Sequence, residues 1–195
     1  AEGGLVAEDQ AVRGQRGADV RAGQSVLVLG AGLAGLIHVS LARASGAALV
    51  VATDVHPFRL DAARRLGADL ALDASTEDIG ERFRAINDGK LADRVIVCTA
   101  VPAVNEQAFR LVERGGTILF FALVTPGIEL KYPAFDLWNA GVNIVQSYAA
   151  ALPDLADALE LIRRGRVPVA EMITHRLPMD ETDEPQTPPQ LLVIL

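Results

Sequence analysis

Apolar residues along this chain change their spacing in a regular rhythm that predicts alternating strands and helices. A compact apolar run over residues 25–29 meets Gly30. Such a run, bounded by turn residues, suits a strand buried on both faces. From residue 33 to 45 apolar side chains recur at helical spacing (Leu33, Leu36, Ile37, Leu41, Ala44), and Gly46 supplies the stop. The pattern then predicts a strand over 48–53, a helix from Pro57 to residue 66 ended by Gly67, and a short strand over 70–72. Next come a helix over 76–87 closed by Asp88-Gly89, a strand over 94–99 and a helix from Pro102 to about residue 114. Gly115-Gly116 reads as a turn into a fifth strand over 117–123, and Pro126-Gly127 as a loop. A sixth strand covers residues 142–147, opening on Val142 and closing on Ser147. The last helix, over 153–164, carries Leu155, Leu159 and Ile162 on one face.

This alternation implies a parallel sheet covered on both faces, with right-handed connections. The fold class is therefore α/β, a six-stranded doubly wound parallel sheet of the Rossmann type. The domain proper spans residues 25–178. Residues 1–24 are rich in Gly, Ala and charge and lack a sustained period, apart from a short helix over 10–20; they read as a separate N-terminal segment, the remnant of an interdomain helix or an addition. Residues 179–195 form a tail in which Pro185, Pro188 and Pro189 lie among acids. Such a segment stays solvated, and apolar residues 191–195 have no partner in this reading.

Composition narrows the function. Half of the 195 residues are apolar, enough for a sizeable core. The net charge of −7 argues against binding a phosphate backbone, so no nucleic-acid partner is expected. A single cysteine, Cys98, excludes an internal disulfide and any multi-cysteine metal site. His38, His56 and His175 lie far apart and show no metal-ligand spacing. No apolar run reaches the roughly 18 residues of a membrane span, and the start carries Glu2, Glu8 and Asp9, unlike a basic signal peptide. A soluble, cytoplasmic protein without a membrane partner is expected.

The chemistry lies in Gly30-Ala31-Gly32-Leu33-Ala34-Gly35, a complete G-x-G-x-x-G between a predicted strand and a predicted helix. Gly30 allows the tight turn, Gly32 lets the backbone approach a pyrophosphate, and Gly35 lets helix and strand lie close. The helix N-terminus offers free N–H groups and its positive dipole end to phosphates. Asp54 ends the second strand, 19 residues after Gly35. A carboxylate there can accept from both ribose hydroxyls and repels a 2′-phosphate, which favours NAD over NADP. Arg59, five residues on, can reach the same ribose and soften that discrimination, or serve as a solvated helix charge. His38 reads as a packed histidine, His56 as too far from any nicotinamide for catalysis, and Cys98 as a small apolar residue at the carboxyl edge of the sheet. A nucleotide-dependent methyltransferase also places an acid after its second strand, but the third glycine and the six-strand rhythm argue against it.

With these motifs the chain resembles the medium-chain zinc-type alcohol dehydrogenases, nearest to the sorbitol and threonine dehydrogenase branch. The resemblance is carried by residues 25–44, by Thr53-Asp54 with Arg59-Leu60, and by Arg65-Leu66-Gly67-Ala68-Asp69. Arg114-Gly115-Gly116-Thr117 and Ile173-Thr174-His175-Arg176 add to it. It covers roughly residues 13–182. It implies that Leu33 and Ala34 lie beside the pyrophosphate and nicotinamide, and that Asp54, Val55 and Arg59 hold the adenosine ribose. It further implies that Cys98, Thr99 and Ala100 line the cofactor, and that Phe121, Ala122 and Leu123 meet the nicotinamide amide through their backbone. Family members pair their sixth strands across a two-fold axis, which implies a homodimer through residues 142–147.

The same family carries zinc ligands, a proton relay and a substrate pocket in a catalytic domain that these residues do not supply. No residue of this chain is therefore assigned to catalysis or to a metal, and zinc belongs only to the missing domain. The expectation is the NAD(H)-binding domain of a dehydrogenase acting on a secondary alcohol or polyol, present as a fragment, a truncated gene product or an excised domain, with little activity alone. The alternative is a catalytically silent NAD(H)-binding sensor or assembly module.

Overall fold

The computed structural model describes residues 2–122, 124–149, 151–176 and 193–194. The chain order is α1 (Glu2–Ala18), β1 (Ser25–Leu29), α2 (Leu33–Ala44), β2 (Leu49–Asp54), α3 (Pro57–Arg65), β3 (Leu70–Asp73), α4 (Ile79–Ile86) and β4 (Ala92–Val97). It continues with α5 (Pro102–Ala108), β5 (Val112–Phe120), α6 (Ala134–Ala140), β6 (Asn143–Gln146), α7 (Leu152–Arg163), a 3-10 turn (Val169–Met172), β7 (His175–Arg176) and β8 (Val193–Ile194). β1 to β6 form one parallel sheet in the order β3-β2-β1-β4-β5-β6. The order reverses between β1 and β4, the point where such sheets open a crevice at their carboxyl edge.

Alternate residues of each central strand enter different cores, which explains the continuous apolar runs. Val26 and Val28 of β1, Ile96 of β4 and Leu119 of β5 join α1, α2, α3 and α7 on one face. Leu27, Leu29, Val95, Val97, Ile118 and Phe120 pack on the other, against Ile79 and Phe83 of α4 and Ala108 of α5.

Five elements depart from the sequence pattern: α1, α5, β5, α6 and β8. The helix expected over residues 10–20 runs from Glu2 to Ala18 despite its glycines. Tertiary packing overrides propensity here: a Cβ on Gly14 would come within 3.1 Å of Leu119 and 3.4 Å of Phe121 and Ser147, so the missing side chain lets α1 lie directly on the sheet. Its Ala11, Val12 and Ala18 are buried in the main core. Arg16 donates to Asp154 Oδ1 at 2.8 Å, while Asp154 Oδ2 accepts from Ala151 N–H at 2.9 Å, so α1 is tied to the start of α7.

The helix expected to reach residue 114 stops at Ala108, and Leu111 and Val112 are buried at the start of β5. Gly115-Gly116 is a bulge inside β5, not a turn before it: pairing jumps from Ala92↔Val112 to Arg94↔Thr117. Gly115 has φ +72°, and a Cβ on Gly116 would meet Val112 Cγ2 at 2.7 Å and Asp93 O at 2.9 Å. Helix α6 falls in a stretch without helical signal, because it buries Leu137 while Phe135 and Trp138 face outward. Val193–Ile194 pairs in parallel with His175–Arg176, giving part of the apolar terminus a partner. The remaining tail, residues 177–192 and 195, lies outside the described residues. Among the described residues no helix is long and apolar enough to cross a membrane.

Candidate functional site

The carboxyl ends of β1, β2 and β4 converge on a crevice that begins at Gly30. Its φ of +94° belongs to the left-handed side of backbone space, which disfavours side chains. Its N–H donates to Thr53 O at 3.0 Å, and a Cβ there would lie 3.1 Å from Cys98 O. Gly30 thus turns the chain where β2 and β4 both press against it. Gly35 is tighter still: its hypothetical Cβ would sit 1.8 Å from Gly30 O, so a side chain at this position requires the backbone to move. Gly32 is the opposite case, since a Cβ there would find nothing within 4 Å. This open flank lies at the N-cap of α2, which has no side-chain capping bond. Leu33, Ala34 and Gly35 open that helix, and their first-turn N–H groups are the ones an α-helix leaves without internal partners. Open space, free donors and the dipole end together favour an anion.

Asp54 stands on the other side of the turn, buried, at the end of β2. Its Oδ1 accepts from Val55 N–H at 2.8 Å and His56 N–H at 3.0 Å. Its Oδ2 accepts from Ala31 N–H at 2.9 Å and lies 3.6 Å from Arg59 Nη1. Three backbone donors and the Arg59 ion pair, from three segments, fix the carboxylate before any ligand arrives. Arg59 is anchored at one end only, because its Nε is buried without a partner among the described residues.

Gly30, Asp54, Val55, Arg59 and Thr99 line one cavity of about 280 Å³. The sequence pattern did not single out Ala74, or Val101, Val104 and Gln107, which form the wall contributed by the β4–α5 turn and α5; Thr53 and His56, noted in the sequence for other reasons, also line the cavity. Val101 and Val104 flank Pro102 just past a strand end, a position that topology marks as ligand-facing. Gln107 reaches the cavity only through helix packing. Val55 and Val101 are about half exposed, so apolar surface flanks the buried carboxylate.

The other expected residues fall around this cavity rather than in it. Cys98 is partly buried; its N–H donates to Leu29 O at 2.8 Å, and burial pushes its thiol pKa up, which suits packing and not nucleophilic attack. Ala100 is exposed on the following turn. Phe121 and Ala122 N–H groups both donate to Val97 O at 3.0 Å, which keeps the end of β5 beside that of β4. Leu123 lies outside the described residues. His38 is fully buried, with Nδ1 3.3 Å from Gln15 Oε1 and its ring edge-on to Phe121 at 4.8 Å. Among the described residues no three His, Cys, Asp or Glu side chains cluster as metal ligands, so these residues do not fit a zinc ion and no chemical step is assigned to one.

Comparison with known proteins agrees with this fold. A family model for zinc-binding dehydrogenases matches residues 34–164. L-galactonate-5-dehydrogenase of Escherichia coli K12 is 35% identical over 164 residues, which is 84% of this chain and 47% of that protein. L-threonine 3-dehydrogenase of Rhizobium etli CIAT 652 is 30% identical over 164 residues, 82% of this chain and 46% of that protein. The chain therefore spans about half the length of these relatives. A solved structure described as a zinc-binding dehydrogenase of Sinorhizobium meliloti 1021 bound to NADP superposes with a TM-score of 0.91 at 25% identity, covering 97% of this chain and 57% of that one. An alcohol dehydrogenase of Thermus sp. ATN1 gives a TM-score of 0.83 at 26% identity, covering 89% of this chain and 50% of that one.

Proposed function

Because this chain belongs to the zinc-binding dehydrogenase family, we propose that it binds a nicotinamide dinucleotide, NAD(H) in preference to NADP(H). The single observation that carries the reading is Asp54, a buried carboxylate fixed at the rim of a cavity that also touches the glycine turn. In this reading the adenosine ribose sets its hydroxyls against Asp54, Val55 and Val101 flank the base, and Arg59 borders the ribose. The pyrophosphate lies over Gly32 against the first N–H groups of α2, beside Leu33 and Ala34. Thr99 closes the adenosine cavity opposite Asp54, Cys98 and Ala100 line the cofactor beyond it, and Phe121 and Ala122 border the nicotinamide half. Arg59 next to Asp54 tempers the rejection of a 2′-phosphate, and the solved relative bound to NADP supports keeping NADP(H) as a second candidate ligand.

The cofactor would supply hydride transfer, and this chain's residues would orient it. The reaction class proposed is reversible oxidation of a secondary alcohol or polyol, supported by the resemblance and by the names of the relatives. Polarising the substrate carbonyl needs groups that the described residues do not assemble, so the chain alone is expected to bind cofactor with little turnover. Calorimetric titration with NADH and NADPH tests this reading. Saturable binding with NADH preferred supports it, and failure to bind either refutes it.

A second reading, a silent NAD(H)-binding assembly module, is favoured by one observation. β6 is an open edge strand, and the neighbouring α6 exposes Phe135 and Trp138. Apolar edges of this kind call for a cover or a partner. Under either reading a homodimer through β6 is proposed.

A further inference from the structure

Asn105 is a polar side chain with no accessible surface, on the first turns of α5. Its Nδ2 donates to Thr99 O at 2.9 Å and to Val101 O at 3.0 Å. Its Oδ1 is buried without a partner among the described residues. An unmet buried acceptor costs stability, and such groups call for an explanation. Helix capping does not provide one, because Val101 O already accepts from the N–H groups of Val104 and Asn105, both at 3.1 Å. What the side chain adds is a brace from α5 back to Thr99, across the turn that follows β4.

That turn is a wall of the cavity. Thr99, Val101 and Val104 line it, facing Asp54 and Arg59 across the crevice. Thr99 Cβ also lies 3.4 Å from where a Gly30 side chain would begin, so the brace sets the spacing between the glycine turn and the β4–α5 turn. Resting on the dinucleotide reading above, we infer that Asn105 is a positioning residue for the adenosine half of the cofactor. It holds Thr99 and Val101 at the width the ligand needs, and the fold tolerates an unmet acceptor in return. Preorganised walls raise affinity by removing the cost of ordering them on binding.

The test uses the full chain with ADP-ribose as the probe, read by calorimetry beside thermal melting. Asn105→Leu fills a similar volume, removes the brace and removes the unmet acceptor. The expected result is about fivefold or more weaker ADP-ribose binding with the melting temperature little changed, because removal of the unmet Oδ1 offsets the donor that Thr99 O loses. Unchanged affinity overturns the inference. So does a parallel loss of affinity and melting temperature, which marks Asn105 as merely structural. Should Asn105→Leu fail to fold, Asn105→Ser carries the test: a hydroxyl at this place bonds back to the carbonyl four residues earlier, Val101 O, and leaves Thr99 O unbraced. The same weakening is expected there, and affinity within about twofold of wild type overturns the inference. If the wild-type chain itself does not bind ADP-ribose, the dinucleotide reading fails, which is a result distinct from wild-type binding that Asn105 does not affect.

Discussion

The N–H of Ala31 donates to Oδ2 of Asp54 at 2.9 Å, across 23 residues of sequence. This bond joins the middle of the glycine turn to the end of β2, so the proposed pyrophosphate and ribose subsites share one anchor. Asp54 therefore has a structural duty as well as a ligand-binding one. Asp54→Ala leaves three backbone N–H groups without their acceptor and Arg59 without its counter-charge. We expect it to lower unfolding free energy by about 2–4 kcal/mol and NADH affinity at least about tenfold. Asp54→Asn keeps an acceptor, so we expect it to retain more of the stability while narrowing the gap between NADH and NADPH. Urea unfolding and paired titrations check both, and an unaltered NADH/NADPH ratio in Asp54→Asn would be the contrary result.

Two glycines of one motif should respond in opposite ways. A methyl group at Gly35 collides with Gly30 O, whereas one at Gly32 meets nothing within 4 Å. Gly35→Ala is expected to cost about 3 kcal/mol or more, since the strand-to-helix turn must shift. Gly32→Ala should leave stability within about 0.5 kcal/mol and weaken NADH binding by filling the space the pyrophosphate takes. Denaturation of both variants, followed by titration of Gly32→Ala, separates the packing glycine from the ligand glycine. Full NADH affinity in Gly32→Ala would place the pyrophosphate elsewhere.

His38 makes the fold sensitive to acid. Burial holds its pKa down to about 3, from an ordinary 6.5, and its side-chain neighbours Gln15 and Phe121 do not titrate. The unfolded chain therefore takes up the proton more readily than the folded one. Stability is intact above pH 6.5 and falls as the pH drops from there toward 3, by up to about 1.4 kcal/mol per pH unit. In His38→Met this share of the slope disappears. Urea midpoints of both proteins at pH 7 and pH 5 measure it, and identical slopes would show that His38 is not the source.

The proposed dimer has a clean probe at the edge strand. Ser147 N–H donates to Phe120 O, and N–H directions alternate along a strand, so Gln146 N–H faces the open edge. Gln146 is exposed. Gln146→Pro removes an outward donor and leaves the bonds to β5 intact. Sedimentation should show a dimer in the wild type and a monomer in this variant, with melting little changed. A wild-type monomer at micromolar concentration would remove the dimer proposal.

The adenosine end of the site was readable from the sequence because its parts are local. Gly30 to Gly35 carry their function in backbone shape, and Asp54 follows at a spacing that one helix and one strand impose. The wall opposite was not readable. Val101, Val104 and Gln107 are ordinary residues until α5 folds against β4, and a buried Asn105 leaves no trace in an apolar pattern. The boundary errors have the same origin. Leu111 and Val112 fit a helical period, yet their partners are strand residues across the sheet.

Pattern and motif thus determined the class of fold, the order of most strands and the chemistry of the turn, because each depends on residues close together in the chain. Only tertiary structure decided that glycine-bearing α1 lies against the sheet, that Gly115-Gly116 is a bulge within a strand, and that Ala31, Asp54 and Arg59 share one carboxylate. Those outcomes depend on which distant backbone passes within a few ångströms, and no local spacing encodes that distance.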